Sequence, residues 1–224
     1  MSDIGRRAGL PIATVYRIVG KLHSWGALER CPDGGCHICL RLWEKGVLAP
    51  RSELIEAARP HLAELCRRTS TVATLAVHDG GDSVCLLSLP GEAELQGVLM
   101  EAGRRLPLHA TSSGLVLLAQ ASVSLQDEIC DGPLHACTAA TITDGAALRS
   151  CLAMVRRDGY AVVRGAFTEG RGGISAPVFG GDGAVVAPLG ALRVTQLLSE
   201  TRVAADAVTK RIRTETPRFT ETGP

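Results

Sequence analysis

Aromatic side chains are scarce in this chain of 224 residues: two Trp, two Tyr and three Phe. So few flat rings leave little for stacking the bases of single-stranded RNA or DNA. The core must be built from Leu, Val, Ile and Ala instead. Lysine is scarcer still, with 3 against 21 Arg and 25 Gly, a pattern that reads as GC-rich coding bias rather than function. Long apolar runs are missing, since 115–119 and 184–187 fall far short of the ~20 residues of a membrane span. Behind Met1, the run Ser-Asp-Ile-Gly-Arg-Arg has no apolar stretch of a secretory leader, so a cytoplasmic protein with no membrane partner is expected. No Gly-x-Ser-x-Gly elbow, Walker loop, dinucleotide fingerprint or His-Glu-x-x-His is present. Ser112 and Ser113 have His109 nearby in sequence, but no identifiable carboxylate orients it, so no enzyme and no cofactor are expected.

What is present is an ordinary globular balance, 46% hydrophobic and 21% charged, in a length that suits one large domain or two small ones. The net charge of +1 is unevenly spread. Residues 1–50 carry seven basic against four acidic side chains, and the remainder seventeen against nineteen. A small basic module before a larger near-neutral one suits a DNA-binding head on a sensing body.

The head has the elements for that role. Ser2 or Asp3 can cap a short helix over 4–8, ended by Gly9. Pro11 sits where a second helix would begin, at N1. Val15, Ile18, Val19 and Leu22 follow at helical spacing as a core-facing stripe, with Trp25 at its edge and Gly26 as the stop. Ala13, Tyr16, Arg17 and Lys21 project from another face, with Thr14 at its border. Residues 27–30 and 36–40 can then pair across Asp33-Gly34-Gly35. Helix, tight turn, helix and hairpin describe a winged helix-turn-helix on double-stranded DNA. Thr14, Tyr16 and Arg17 would face base edges or phosphate, with Lys21 and Arg30 on the backbone. The plainer alternative is a helical hairpin whose Arg17 and Lys21 are solvated.

Cys31, Cys36 and Cys39, with His37 among them, have spacing compatible with an iron–sulfur cluster or zinc. A fourth ligand is missing at any telling spacing, and Cys66 would have to come from elsewhere. A strand over 36–39 would also put Cys36 and Cys39 on opposite faces. Ordinary hairpin residues are therefore expected ahead of a metal site or a redox pair.

Beyond the head, Leu54, Ile55, Ala58, Leu62 and Leu65 mark a helix that Pro60 should break or restart. Strands are expected over 71–78, 84–89, 95–101, 160–164, 173–179 and 184–194, and helices over 111–120, 144–157 and 195–213. This is an α+β order, an antiparallel sheet with flanking helices. The domain limits are 1–50 for the head, 51–70 for a linker helix and 71–213 for the body, with a mobile tail over 214–224. Thr111, Ser112 and Ser113 stand at a helix N-terminus, where hydroxyls and backbone N–H groups suit a carboxylate. Simple helix capping by Thr111 or Ser112 accounts for the same residues. His109, flanked by apolar residues, is read as structural. Arg164, Glu169 and Arg171, in a glycine-rich stretch, are read as a solvated loop.

The run from Ile4 to Arg17 (Ile-Gly-Arg-Arg-Ala-Gly-Leu-Pro-Ile-Ala-Thr-Val-Tyr-Arg), followed by Leu22, Gly26, Glu29-Arg30 and Asp33-Gly34-Gly35, resembles the DNA-binding head of IclR-type transcriptional regulators. The match continues in Gly103-Arg104-Arg105-Leu106-Pro107-Leu108-His109-Ala110-Thr111-Ser112-Ser113-Gly114, in Arg156-Arg157-Asp158-Gly159-Tyr160 and in Gly172-Gly173-Ile174-Ser175-Ala176-Pro177. It spans about residues 3–200. The resemblance implies a GAF-like effector-binding body, a homodimer or dimer of dimers, and pocket walls at Val163, Gly173, Gly190 and Leu192. With Ser112 and Ser113 as polar anchors, the expected effector is a small organic acid with an aromatic or branched body, the glycines leaving room for a ring. Repression is the expected sense of regulation. Two departures stand out: family members carry a further helix ahead of the segment that begins here at Ser2, and the hairpin reads Cys36-His37-Ile38-Cys39-Leu40. The alternatives are a truncated sensor that pairs without binding DNA, and a small-molecule enzyme on a GAF-like body.

Overall fold

The computed structural model describes residues 1–31, 35–39, 51–91, 101–192 and 198–215, and for Arg30, Arg51, Leu192, Leu198 and Glu215 the backbone alone. They fall into two compact units, Met1–Ser52 and Glu53–Pro224.

In the first unit, α1 (Ser2–Ala8) is capped by no side chain. The expected Ser2 or Asp3 cap does not form because the helix already starts at Ser2. Asp3 lies inside the first turn and binds Arg6 at 2.6 Å. Gly9 ends α1 in the left-handed conformation, φ 62°. Pro11 takes the N-cap position of α2 (Ile12–Ser24) rather than N1, and its carbonyl accepts from Val15 N–H at 3.1 Å. The buried line on α2 is narrower than the sequence implied. Val15 and Val19, one turn apart, are 1% and 3% exposed, whereas Ile18 is 40% and Trp25 74% exposed. Ile18 lies some 60° around the helix from Val15, off the line that α1 covers. A side chain at Gly5 would crowd Leu10 O and Val15 Cγ2, so α1 owes its close approach to that glycine. Strands β1 (Leu28–Arg30) and β2 (Cys36–Ile38) pair antiparallel, Glu29 opposite His37 and Arg30 opposite Cys36. The turn residues 32–34 lie outside the described residues.

Helix α3 (Arg51–Thr69), in the second unit from Glu53 onward, runs through Pro60 instead of breaking there. Proline removes one helical N–H, but Pro60 stands on the exposed side, where water can satisfy the freed carbonyl. Leu54, Ala58, Leu62 and Leu65 continue one buried face across it.

A six-stranded antiparallel sheet follows, in the spatial order β5-β4-β3-β8-β7-β6. Its strands are β3 (Val72–Asp79), β4 (Asp82–Leu89), β5 (Arg105–Pro107), β6 (Ala161–Arg164), β7 (Gly172–Phe179) and β8 (Val185–Leu192). Among the described residues, the third strand of the sheet in chain order is β5, where the sequence suggested only an approach to a helix. The strand expected over 95–101 falls almost wholly on residues outside those described. Between the strands come α4 (Ser112–Gln120), α5 (Val123–Asp131) and α6 (Gly145–Asp158), and α7 (Leu198–Glu215) closes the unit. Thr214 and Glu215 belong to α7, with Thr214 Oγ1 bonded to Lys210 O, so the tail does not begin at 214; 216–224 lie outside the described residues.

Period-two alternation divides the sheet into two faces. Leu75, Val77, Ile174, Val178, Ala187 and Leu189 point to one, under α3 and α7. Ala161 and Val163 point to the other, against the cluster built by α4 and α6 from Leu115, Leu118, Leu148, Leu152 and Val155. The sheet is curled. Arg104, just before β5, lies 5.9 Å from the ring centre of Phe167, just after β6, although β5 and β6 are opposite edges. Among the described residues, no helix is long and apolar enough to cross a membrane.

Candidate effector site

The N-terminus of α4 is held against the sheet by the segment that precedes it. Arg105 on β5 donates to Asp79 Oδ2 (2.8 Å), Asp82 Oδ2 (2.9 Å) and Asp79 O (2.7 Å), which ties the edge strand to the β3–β4 turn. Leu108 is buried beside α4, and a Cβ on Gly114 would lie 2.4 Å from Leu108 O. Only glycine allows the helix to start so close to that backbone. Thr111 is the N-cap: its Oγ1 accepts from Gly114 N–H at 3.1 Å and donates to Pro107 O at 3.1 Å.

Thr111 therefore caps, but capping does not account for Ser112 and Ser113. Ser112 Oγ lies 2.9 Å from Ser175 Oγ on β7, and Ser83 Oγ on β4 donates to Ser113 Oγ at 3.1 Å. Ser83 and Ser175 are each 1% exposed. Their neighbours across the sheet extend the polar strip, since Ser175 pairs with Gly190 and Gly190 with Thr74. Helix geometry leaves the first N–H groups of α4 without intrahelical carbonyls. A carboxylate there would meet the N–H groups of Ser112 and Ser113, the positive end of the helix dipole and adjustable hydroxyls.

The walls suggested by family position also come together in the backbone register. Val163 pairs with Gly173, and Gly173 with Leu192, in one row across β6, β7 and β8. Val163 is half-buried on the α4 side, while the Leu192 side chain is outside the described atoms. Gly190 does not leave open room for a ring as expected. A Cβ there would lie 2.6 Å from Ser175 Oγ and 3.2 Å from Thr74 Oγ1, so hydroxyls already fill that space. Ser83, Ser175 and Thr74 were not picked out from sequence. Their signal was slight: short hydroxyl side chains scattered through mostly apolar strands, Ser175 two residues from Gly173 and so on the same face. Cys85 sits two residues beyond Ser83, and burial pushes its thiol up to about 11, so it is a neutral part of the wall at neutral pH.

Other candidates fall into place. His109 is buried, with Nε2 3.0 Å from His135 O. The loop after β6 is anchored from below, where Thr138 Oγ1 donates to Gly165 O (2.7 Å) and Thr141 Oγ1 to Ala166 O (2.6 Å). In the first unit, Ala13, Tyr16, Arg17 and Lys21 are exposed on α2, Thr14 is half-buried, and the Arg30 backbone is in β1.

Residues 48–216 match the family profile of the bacterial transcriptional regulator IclR C-terminal domain. The chain belongs to the IclR family. Its curled antiparallel sheet with flanking helices is the effector-binding domain of these transcriptional regulators, whose members bind DNA and small-molecule effectors; the matched region begins at residue 48, near the end of the first unit, and leaves residues 1–47 outside it. It is 28% identical over 207 residues to the HTH-type transcriptional regulator XynR of Escherichia coli, covering 91% of this chain and 82% of that one. With the HTH-type transcriptional regulator BhcR of Paracoccus denitrificans the identity is 32% over 213 residues, covering 93% and 76%. The fold matches the crystal structure of an IclR homolog complexed with 4-hydroxybenzoate from Microbacterium hydrocarbonoxydans (TM-score 0.83, 34% identity, 95% of this chain and 90% of that one). These relatives are named as regulators, not enzymes.

Proposed function

We propose that this IclR-family chain is a ligand-responsive, DNA-binding regulator, more simply a repressor, that senses a small organic acid with an apolar body. The observation that carries the reading is the N-terminus of α4, where unpaired helix N–H positions meet a strip of buried hydroxyls beside an apolar cluster. The complex of a related protein with 4-hydroxybenzoate, an aromatic acid, supports that ligand class. Thr111, Ser112 and Ser113 would hold the carboxylate, with Gly190 beneath the hydroxyl strip and Val163, Gly173 and Leu192 around the body of the ligand.

The first unit acts as a winged helix-turn-helix in this reading. Helix α2 would enter the major groove, with Ala13, Thr14, Tyr16 and Arg17 towards the bases and Lys21 and Arg30 on phosphates. Residues 1–50 serve as head, 51–70 as linker and 71–213 as sensor, and a cytoplasmic dimer or dimer of dimers places two heads on two half-sites. The acid must favour one arrangement of the heads over another, since equal affinity for both shifts nothing.

The test is fluorescence anisotropy on the DNA upstream of this protein's own coding region, at two salt concentrations, with and without 4-hydroxybenzoate. Specific binding that weakens steeply with salt and is released by the acid is expected, because phosphate contacts displace counterions. Acid binding with no DNA binding would favour a sensor that pairs with relatives without reading DNA.

A further inference from the structure

We propose that Cys31 is a peroxide-reactive thiol, activated by a line of three side chains on the β1–β2 hairpin: Cys31 Sγ, the His37 imidazole and the Glu29 carboxylate. Cys31 Sγ lies 2.9 Å from His37 Nδ1, and His37 Nε2 lies 3.2 Å from Glu29 Oε2. The register explains the line. Glu29 is directly opposite His37, and Cys31 N–H bonds Gly35 O one step further, so alternation puts Glu29, Cys31 and His37 on one face. Thiol, base and orienting carboxylate within hydrogen-bond reach form the arrangement that activates nucleophilic cysteines. The carboxylate fixes which imidazole nitrogen faces sulfur, and the imidazole takes the thiol proton.

The other hairpin cysteines do not share this setting. Cys36 is opposite Arg30 and faces the other side, and Cys39 Sγ donates to Gly26 O. A Cys31–Cys36 disulfide would need the hairpin to unpair, so the first product is a sulfenic acid that this neighbour does not resolve. The Cys31 thiolate attacks the terminal oxygen of a hydroperoxide, the S–O bond forms and the O–O bond breaks. Sulfur loses two electrons and the peroxide gains two. The leaving alkoxide, or hydroxide from hydrogen peroxide, takes the proton held on His37. The site sits beside Arg30, so any effect on DNA rests on the reading of the head given above, whereas the reactivity does not.

The test uses the full reduced chain with hydrogen peroxide and dimedone at pH 7, and peptide mapping of the labelled cysteines over time. Cys137, exposed on the second unit, is the internal standard. Cys31 is expected to label at least fivefold faster than Cys137. In His37→Gln the Cys31 rate should fall to the Cys137 level, while Cys137 is unchanged, and Glu29→Gln should lie between. Labelling of Cys31 within twofold of Cys137 in the unsubstituted chain overturns the proposal, whatever the variants do. So does an undiminished Cys31 rate in His37→Gln.

Discussion

The two faces of the sheet are built from alternate residues of the same strands, yet they do different work. On the side of α3 and α7, Leu75, Ile174, Val178 and Leu189 make an apolar layer. On the side of α4, the neighbouring positions Thr74, Ser83 and Ser175 are buried hydroxyls. Burying hydroxyls is costly unless each finds a partner. Here Ser83 meets Ser113 and Ser175 meets Ser112, at the start of α4, where the helix dipole favours a bound anion. The first face supplies stability; the second retains polar groups that a folding core does not need.

The largest effect is expected at the dry face. Leu189→Ala should lower stability by about 2–5 kcal/mol, the range for emptying a buried leucine site. Denaturant unfolding checks it, and acid affinity of the folded fraction should stay within twofold. Next comes Gly190→Ala, where the new methyl would lie 2.6 Å from Ser175 Oγ and 3.0 Å from Ile174 O. Overpacking of that kind costs about 1–3 kcal/mol, and because the clash falls on the hydroxyl strip, acid binding should be lost as well.

Ser112→Ala reverses the pattern. Stability should drop by only about 1 kcal/mol, whereas affinity for 4-hydroxybenzoate should weaken roughly ten- to hundredfold, the worth of a hydrogen bond to a charged group. Calorimetry separates the two readouts. The smallest effect belongs to Asp144→Ala. Asp144 caps α6 through Ala147 N–H at 2.7 Å, so its loss should cost about 1 kcal/mol and leave acid binding unchanged.

Much of the second unit was legible in the sequence because long periodic segments carry their own signal. Asp144 and Gly159 bracket α6, and Thr111 caps α4, as their residue types imply. What escaped were features set by tertiary partners. Pro60 signals a break by itself, but the packed residues on either side carry α3 through it. Ile18 has helical spacing with Val15, yet lies beside the line that α1 covers. Three-residue β5 is too short to show a period, and is a strand because β4 and the Arg105 ion pairs hold it there. In the site, Ser112 and Ser113 could be read from a helix start. Ser83 and Ser175 could not, because strands 30 and 63 residues away in sequence bring them to it.

The most direct test of the hydroxyl strip as an acid site is isothermal titration of 4-hydroxybenzoate and of pyruvate into the chain and into Ser112→Ala. The aromatic acid should bind at least tenfold more tightly than pyruvate, and the substitution should remove most of that affinity. Tighter binding of pyruvate, or an affinity for the aromatic acid that Ser112→Ala leaves untouched, would contradict the assignment.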